Sequence, residues 1–277
     1  MEGTMPLFTV DSTKCLRDKL CVKECPMQII IMKSAEETPV PAPMAEKICI
    51  DCGHCVAVCP TGALKLNSMD PDVCEALQSD WNPGHETISK YMKSRRSIRK
   101  FKKNPVEKEK LGEIIKVAAY APSGHNSRPV NWTVFTDSEK IKEIAASVIS
   151  WMNWMKENQP EVAKAMHFDM ITKAWEFGID VVTYNSPAIV LAHGAKKNPH
   201  AQSGCTIALS HLEVAAPSFG LGCCWGGFLT WAAGTWEPLK EKLGLPEGHV
   251  MHGSMLVGYP QFRYHRIPVR EAKINWK

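Results

Sequence analysis

Hydrophobic and polar residues alternate with a helical period in the middle of the chain. Between residues 111 and 119, apolar side chains recur every three or four positions, which predicts a helix from about Pro105 to Ala119. The polar turn APSGHNSRP ends this helix, and NWTVF (131–135) then has the composition of a strand. This part of the chain is therefore predicted to pass from a helix through a proline-containing turn into a strand.

Longer apolar runs follow toward the C-terminus. The segments NSPAIVLAHG (185–194) and HVMHGSMLVGYP (249–260) predict strands, the first of them buried. The segment IALSHLEVAAPSFG (207–220) predicts an apolar helix that ends at Gly220. The next residues, GLGCCWGG (220–227), predict a glycine-rich loop.

The first 66 residues have a different pattern, in which short apolar segments flank two groups of cysteines. CPMQII follows the first group and CPTGAL follows the second, so this region contains an internal repeat. The linker KSAEETPVPAPMAEK between the repeats is polar and proline-rich, which is typical of a surface loop. Turn signals in 67–88 predict an interdomain linker, with a helix starting near Glu86. The chain is therefore divided into domains at 1–66 and 89–277.

Composition narrows the class of protein. Apolar residues make up 44% and charged residues 22% of the chain, and the formal net charge of +4 is too small to indicate nucleic acid or a membrane surface as a partner. No apolar run is long enough to span a membrane, and the first residues lack the pattern of a signal peptide. A cytoplasmic location is expected.

Seven of the eleven cysteines lie between residues 15 and 59, at gaps that favour metal binding over disulfides. The second group, CIDCGHCVAVCP (49–60), matches the bacterial iron–sulfur run C-x2-C-x2-C-x3-C-P in full. Zinc is the main alternative, but zinc ribbons usually separate two C-x2-C pairs by a longer loop. The remaining four cysteines show no ligand spacing and are predicted to be buried apolar residues: Cys74, Cys205, Cys223 and Cys224.

The first group, CLRDKLCVKECP (15–26), fits the same run except at one position. Cys15, Cys21 and Cys25 occupy the first, third and fourth ligand positions, and Asp18 stands at the second. A carboxylate oxygen can bind iron, although it is a harder ligand than a thiolate. The alternative is a solvated Asp18 beside an empty corner.

The repeated unit resembles the two-cluster bacterial ferredoxin domain over about residues 5–66. In that family, the fourth cysteine of each run binds the cluster of the other run. The resemblance therefore implies that one 4Fe-4S cluster is held by Cys25, Cys49, Cys52 and Cys55. It implies that a second cluster is held by Cys15, Cys21 and Cys59 together with Asp18. This second cluster is expected to be either a 4Fe-4S cluster bound through the carboxylate or a 3Fe-4S cluster.

A basic segment, SRRSIRKF (94–101), brings together groups that bind phosphate through hydrogen bonds. They are Arg95, Arg96, Ser97 and Arg99. Taken alone, the segment also fits a solvated basic face, and a nucleic-acid patch is a third interpretation that lacks an accompanying aromatic stripe. The chain contains neither a P-loop nor a Rossmann glycine motif.

Four motifs, in this order between residues 90 and 270, resemble the flavin-dependent nitroreductase family. They are the Arg-Arg-Ser segment, the Ala-Pro-Ser-x-x-Asn turn, the glycine-rich loop and Gly-Tyr-Pro at 258–260. In that family such motifs bind FMN at the interface of a homodimer. The resemblance implies FMN contacts from Arg95, Arg96, Ser97, Arg99, Pro122, Ser123, Asn126, Gly222, Trp225, Gly226 and Gly227, with Arg266 or Arg270 at the phosphate.

The same resemblance implies an α+β fold with a central, mainly antiparallel sheet flanked by helices. Residues 140–184 match the family least. They include Trp151, Trp154, Met155 and Trp175 at helical offsets, which favours core or dimer packing, with a substrate lid as the alternative. Catalysis is expected to be driven by the flavin, and His125 is a weak candidate for a proton donor.

The two resemblances together predict an FMN- and iron–sulfur-dependent oxidoreductase from an anaerobe. Electrons would pass from reduced ferredoxin or NAD(P)H through two clusters and FMN to a small acceptor, such as a nitroaromatic, a quinone or a halogenated compound. The alternative is an electron-transfer module that supplies a protein partner and has no small-molecule substrate. A third hypothesis, a nucleic-acid-binding protein with a structural cluster, requires retention on DNA that falls steeply with salt.

Overall fold

The computed structural model describes residues 6–277 and divides into two compact units, one ending at Pro83 and the other beginning at Gly84. The first unit contains two antiparallel strand pairs and three short helices among its described residues. Its strands are β1 (Phe8–Val10), β2 (Ile30–Ile31), β3 (Val40–Pro41) and β4 (Leu64–Leu66). Its helices are α1 (Leu20–Glu24), α2 (Ala45–Ile48) and α3 (His54–Ala57). Since β1 pairs with β4, the start of the first repeat is joined to the end of the second.

The core of the first unit is small. Phe8, Ile30, Val56 and Leu64 are buried together, and three of the cysteines of the two repeats are buried with them. A core of this size supplies little stability by apolar burial alone, so small domains commonly depend on a metal centre or a similar cross-link. The cysteines therefore occupy positions where a bound cluster would also stabilise the fold.

The second unit is built around a four-stranded antiparallel sheet in the order β5-β6-β8-β7. These strands are β5 (Asn131–Phe135), β6 (Ala188–Ala195), β7 (Gly222–Trp225) and β8 (His249–Gly258). The helices are α4 (Gly84–Ser94), α5 (Lys108–Ala118), α6 (Ser138–Asn158), α7 (Pro160–Ala165), α8 (Phe168–Glu176), α9 (Ala201–Ala215), α10 (Gly227–Thr235) and α11 (Glu237–Leu243). The α+β fold expected from the resemblance is confirmed.

Helices cover both faces of this sheet. Ile189 and Leu191 of β6 join a core cluster with α6, α8, α10 and α11, while Val190 and Ala192 join the opposite cluster with α5 and α9. Both faces of β6 are therefore buried, which explains why its sequence is a continuous apolar run instead of an alternating one. Trp151 and Met155 lie in the first cluster, and Trp154 and Trp175 pack against it, so their predicted core packing is confirmed.

Several element boundaries differ from the predictions. Helix α4 begins at Gly84, two residues before Glu86, and α5 begins at Lys108, three residues after Pro105. The segment predicted as a glycine-rich loop at 220–227 instead contains strand β7, because pairing with β8 gives its backbone groups partners that local sequence does not specify. The apolar helix ends at Ala215, and a 3-10 turn at Ala216–Phe219 leads to Gly220.

The prediction that four cysteines outside the ligand groups are buried is wrong for one of them. Cys205, Cys223 and Cys224 are buried in the core, as predicted. Cys74 is exposed, because it ends a 3-10 turn on the surface, where its thiol donates to the Asp70 carbonyl. None of the helices among residues 6–277 has the length and apolar character needed to cross a membrane.

A buried histidine gives the second unit a dependence on pH. His193 on β6 is buried, with Nε2 3.0 Å from the Thr133 hydroxyl and Nδ1 3.0 Å from Nδ1 of His249. Burial lowers the pKa of His193, and the nearby His249 and His252 lower it further. Because the folded pKa lies below the unfolded value of about 6.5, acid favours the unfolded state.

We expect the free energy of unfolding of the second unit to decrease as the pH falls below about 6.5, with part of this loss absent in His193→Gln, which cannot titrate. Urea unfolding at pH 7.5 and 5.5, followed by tryptophan fluorescence, measures it, since eight of the nine tryptophans lie in this unit. An equal loss of stability in both proteins would show that His193 is not the group responsible.

Candidate functional site

Two cavities in the first unit are lined by residues from both cysteine groups. One is lined in part by Cys15, Asp18, Cys21 and Cys59. The other is lined in part by Cys25, Cys49, Cys52 and Cys55. Each cavity thus combines three positions of one repeat with the last cysteine of the other. We name them the Asp18 cavity and the Cys25 cavity.

The local backbone explains how neighbouring cysteines reach different cavities. Cys21 lies within α1, but at Cys25 the chain leaves the helix in an extended conformation, with φ −64° and ψ 112°. A left-handed residue precedes each cysteine-bearing helix: Lys19 before α1 and Gly53 before α3. Glycine suits the second of these positions, because the φ of +72° at Gly53 is one that residues with a side chain rarely adopt. Tight turns before and after each helix therefore separate the two ligand sets.

Burial opposes the ionisation of three thiols in the ligand groups. Burial raises the pKa of Cys21, that of Cys49 and, to about 12, that of Cys55. Burial also acts on Cys59, but hydrogen bonds from the backbone N–H groups of Ala63 and Leu64 outweigh it and lower the Cys59 pKa. Iron binding must therefore displace protons from the thiols of Cys21, Cys49 and Cys55.

The cavities differ from a single-ion centre. Within residues 6–277, no three His, Cys, Asp or Glu side chains are arranged to hold one metal ion. The ligands of a zinc centre converge on one point at about 2.0–2.3 Å. A cluster of several irons spreads its ligands around a larger body, as do the ligands that each cavity draws from the two repeats.

Asp18 has a hydrogen bond of its own in addition to its position in the cavity wall. Its Oδ1 accepts from the backbone N–H of Leu20 at 3.0 Å, which satisfies one of the free N–H groups at the start of α1. The second carboxylate oxygen remains available to a ligand, because a carboxylate accepts through both oxygens. The structure thus gives Asp18 a helix-capping contact that the sequence analysis did not consider.

In the second unit, the basic segment runs beside the edge of the central sheet. The Ile98 N–H donates to the Cys223 carbonyl at 2.8 Å, and the Lys102 N–H donates to the Tyr259 carbonyl at 2.8 Å. Gly222 allows this approach, because a Cβ there would lie 2.4 Å from Cγ1 of Ile98. With Ile98 turned into the core, the neighbouring Ser97 and Arg99 are left to line cavities.

Two cavities of the second unit share Arg99. The larger is lined by Arg99, Met166, Val181, Val182, Tyr184, Cys224, Trp225, Gly227, Phe228 and Trp231. The smaller is lined by Ser97, Ile98, Arg99, Lys100, Phe262 and Tyr264. We call them the aromatic cavity and the basic cavity. Together they offer flat apolar walls beside cationic and hydroxyl groups, as a ligand with a planar ring and an anionic group requires.

Arg96, in the same basic segment, has an unsatisfied donor. Its Nη2 donates to the Lys93 carbonyl at 2.5 Å, but its Nε is buried with no partner among the described residues. A buried guanidinium N–H without an acceptor is unfavourable, so a bound anion would satisfy it.

A buried carboxylate that the sequence analysis missed organises this wall. Glu213 on α9 accepts from Nη1 of Arg95 at 2.7 Å and from Nε1 of Trp225 at 3.1 Å. Arg95 is thereby paired within the protein, and its role as an FMN contact stays a prediction. Glu213 is the one acidic residue of α9, and an isolated carboxylate on an apolar helix was the available signal.

The other predicted contacts lie elsewhere. Pro122, Ser123 and Asn126 line neither the aromatic nor the basic cavity. They belong to a constrained loop, in which His125 and Asn126 have positive φ and a Cβ at Gly124 would lie 2.5 Å from the His200 ring. Arg266 and Arg270 are exposed on the segment after β8 and line neither cavity, although Phe262 and Tyr264 of that segment line the basic one.

Gly226 has a packing role in addition to its position beside the aromatic cavity. A Cβ at this residue would lie 2.4 Å from Oγ of Ser254, whose hydroxyl donates to the Gly226 carbonyl at 2.9 Å. At Gly227, which lines the cavity, a Cβ would meet nothing within 4 Å. The two adjacent glycines therefore differ: the first is required by the core, and the second leaves space open.

Comparison with known proteins identifies both units. A family model described as "Nitroreductase family" matches residues 92–259, and one described as "4Fe-4S dicluster domain" matches residues 13–64. The chain belongs to the nitroreductase family and carries an N-terminal 4Fe-4S dicluster ferredoxin domain. It is an oxidoreductase of the nitroreductase type, as the sequence predicted.

A relative and two solved structures illustrate the likeness. A protein of Archaeoglobus fulgidus, provisionally named an NADH dehydrogenase/NAD(P)H nitroreductase, is 27% identical over 180 residues, which are 64% of this chain and 87% of that protein. A Bacteroides fragilis nitroreductase with bound FMN has a TM-score of 0.58 at 22% identity, covering 69% of this chain and 98% of that one. A Desulfitobacterium hafniense nitroreductase with bound FMN has a TM-score of 0.55 at 24% identity, covering 70% and 98%. These structures support the fold of the second unit.

We expect Glu213→Ala to lower the free energy of unfolding by about 1–3 kcal/mol, because it leaves the Arg95 guanidinium and the Trp225 indole N–H without their acceptor. Glu213→Gln should lose less, since an amide oxygen can still accept one of the two bonds. The exposed pair of Glu113 with Lys116 provides a control, and Glu113→Ala should change stability by less than about 1 kcal/mol. Urea unfolding measures all three, and equal losses for Glu213→Ala and Glu113→Ala would contradict the organising role of Glu213.

Proposed function

We propose that the protein passes electrons from an external one-electron donor, through two iron–sulfur clusters and FMN, to a small organic acceptor. The observation that carries this proposal is the presence in one chain of two cavities with cluster ligand sets and of a nitroreductase fold with an aromatic cavity next to a basic one. A nitroreductase that takes hydride from a nicotinamide needs no clusters, so their ligands favour reduced ferredoxin as the donor over NAD(P)H.

The basic and aromatic cavities fit FMN. Ser97 and Arg99 would bind its phosphate or ribityl chain, and the buried Nε of Arg96 would gain an acceptor from the same anion. Trp225 and Gly227 would lie along its ring system in the aromatic cavity. When bound, FMN can exchange electrons singly and in pairs, which couples one-electron carriers to two-electron chemistry.

The Asp18 and Cys25 cavities fit two clusters of the 4Fe-4S type. Four thiolates would hold the cluster of the Cys25 cavity. In the Asp18 cavity, three thiolates and the carboxylate oxygen not bonded to Leu20 would supply the four ligands. Loss of the carboxylate-bound iron would give the 3Fe-4S form.

The residues of the aromatic cavity suggest the class of acceptor. Met166, Val182, Phe228 and Trp231 give it apolar walls, and Arg99 is the one charged residue among its lining groups. Such walls suit a flat, uncharged or singly anionic molecule, such as a nitroaromatic, a quinone or a halogenated aromatic compound. Met166 follows α7 and Val182 follows α8, which supports a substrate-covering role for part of residues 140–184.

A homodimer would complete the site. Pro122, Ser123 and Asn126 lie outside the cavities that contain Arg99, so a second copy of the chain is the proposed source of these contacts. The segment after β8 exposes Phe262, Val269 and Trp276, apolar side chains that a partner subunit could cover. A cytoplasmic enzyme of an anaerobe remains the proposed setting, because such clusters need reducing surroundings.

Titration of the anaerobically purified protein with dithionite, followed by visible and EPR spectra, tests the electron path. We expect the clusters to be reduced, the flavin absorbance to bleach and an added nitroarene to reverse both changes. In Arg99→Gln, FMN binding should be about 10- to 100-fold weaker, because a charge-assisted hydrogen bond is worth about 1.5–3 kcal/mol. The clusters of this variant should still be reduced, whereas nitroarene turnover should be lost at limiting FMN.

Lys102→Gln is the matched control, since it removes a nearby cation that lines neither cavity, and it should retain FMN and turnover. Clusters that are reduced but never reoxidised by nitroarenes or quinones would contradict the proposed activity. That result, together with rapid electron transfer to a protein acceptor, would instead favour the alternative of an electron-transfer module.

Variants of Asp18 test its ligand role separately. Asp18→Asn retains an oxygen that can accept from the Leu20 N–H but removes the anionic ligand, so we expect a 3Fe-4S EPR signal before reduction and fewer than about eight irons per chain. Asp18→Cys supplies a thiolate and should restore both the iron content and a 4Fe-4S signal. If Asp18→Asn matches the wild-type protein in both measurements, Asp18 serves only to cap α1.

A further inference from the structure

The surface around the Asp18 cavity is cationic, although the unit that contains it is acidic. Residues 1–83 include seven Lys and Arg but twelve Asp and Glu. Four of the seven cations, Lys14, Arg17, Lys19 and Lys23, fall within ten residues that contain one carboxylate, that of Asp18. All four are exposed. This concentration of positive charge is therefore local and opposite in sign to the rest of the unit.

The cationic residues lie at the wall of the Asp18 cavity. Arg17 and Lys19 line it directly, on either side of Asp18. Lys23 is four residues after Lys19, and its N–H donates to the Lys19 carbonyl, so the two side chains share one side of α1. Arg17 is oriented by a bond from its Nε to the Glu36 carbonyl at 2.8 Å, which leaves its terminal nitrogens available.

Two exposed leucines accompany the cations. Leu16, which is 65% exposed, lines the same cavity, and Leu20, 39% exposed, begins α1. Exposed apolar side chains among charges that are mainly of one sign are typical of a surface that binds a protein of opposite charge. In such a surface the charges guide the encounter and the apolar side chains make the contact. Lys14 contributes less, since it lies 3.9 Å from Asp72.

The Cys25 cavity lacks these features. Its lining is Leu7, Phe8, Cys25, Pro26, Met27, Ile29, Ile30, Cys49, Ile50, Cys52, Gly53, His54, Cys55 and Leu66, without Lys, Arg, Asp or Glu. The two halves of the repeat are therefore different in charge at the places where a carrier could approach. The different iron ligands do not account for the cations at only one cavity, because thiolates and a carboxylate are all anionic.

We propose that Leu16, Arg17, Lys19, Leu20 and Lys23 form the docking surface for an acidic one-electron carrier protein, which delivers electrons first to the cluster of the Asp18 cavity. This inference rests on the proposed function, since it requires a cluster in that cavity. The reduced carrier loses one electron and the cluster gains it, with no bond formed or broken. The carrier is acidic because its negative surface must complement the cations at short range.

Stopped-flow reduction of the anaerobic holoenzyme by a reduced plant-type 2Fe-2S ferredoxin, an acidic carrier, tests the surface. The triple variant Arg17→Gln/Lys19→Gln/Lys23→Gln removes three patch charges. Lys33→Gln/Lys47→Gln/Lys65→Gln removes the other three cations apart from Lys14, and gives the same net charge. At low ionic strength we expect the second-order rate constant to fall about tenfold in the patch variant and to fall much less in the control. The difference should disappear at high salt.

Reduction by dithionite separates this inference from the proposed function. Dithionite needs no docking surface, so it should reduce the clusters of both triple variants at the wild-type rate and support nitroarene turnover in each. Equal rate constants for the two variants with the acidic carrier would overturn the docking surface while leaving the proposed function intact. If the patch variant loses iron, the wild-type protein still tests the docking surface. Its rate constant with the acidic carrier should fall as salt is added. A rate constant that stays the same or rises with salt overturns the proposal.

Discussion

The hydrogen bond from the Ile98 N–H to the Cys223 carbonyl fixes the basic segment against the edge strand of the central sheet, and the cavities of the second unit depend on it. It directs Ile98 into the core and leaves Arg99 where the aromatic and basic cavities meet. Gly222 makes the contact possible, because a side chain there would occupy the space of Ile98. The absence of a side chain at Gly222 thus helps to determine where the cationic groups of the basic segment lie.

Arginines of the same basic segment have different environments once the chain is folded. Arg95 is neutralised by Glu213, which also holds the Trp225 indole, while Arg99 lines an open cavity and lies 5.9 Å from the ring centroid of Tyr184. Pairing Arg95 inside the protein gives rigidity to the wall. Arg99 has no acidic partner among residues 6–277, which keeps a cation for an anionic ligand. The different roles of the two arginines therefore depend on one carboxylate, that of Glu213 on α9.

In the first unit, cysteines contribute to the structure where the apolar core is small. A segment of about 60 residues has too little apolar surface for a large core, and its two cavities stand where side-chain packing would otherwise be needed. Cys25 is extended at the end of α1 and Cys59 follows α3, and each of these cysteines lines the cavity of the other repeat, so each cavity ties the two repeats together. Folding of this unit and occupation of its cavities are therefore expected to be coupled.

The sequence by itself determined the class of protein, because fixed cysteine spacings and ordered motifs are local chemical patterns. The family, the dicluster domain, a buried strand within 185–194 and the α+β fold could all be predicted. Only the tertiary structure decided which arginine meets Glu213, that 222–225 is a strand, that Cys74 is exposed and that Asp18 contacts the Leu20 N–H. These outcomes depend on contacts between residues distant in sequence or on the path of the backbone. Residue spacing along the chain does not specify distant contacts or the backbone path, because two distant residues interact only after folding has brought them together.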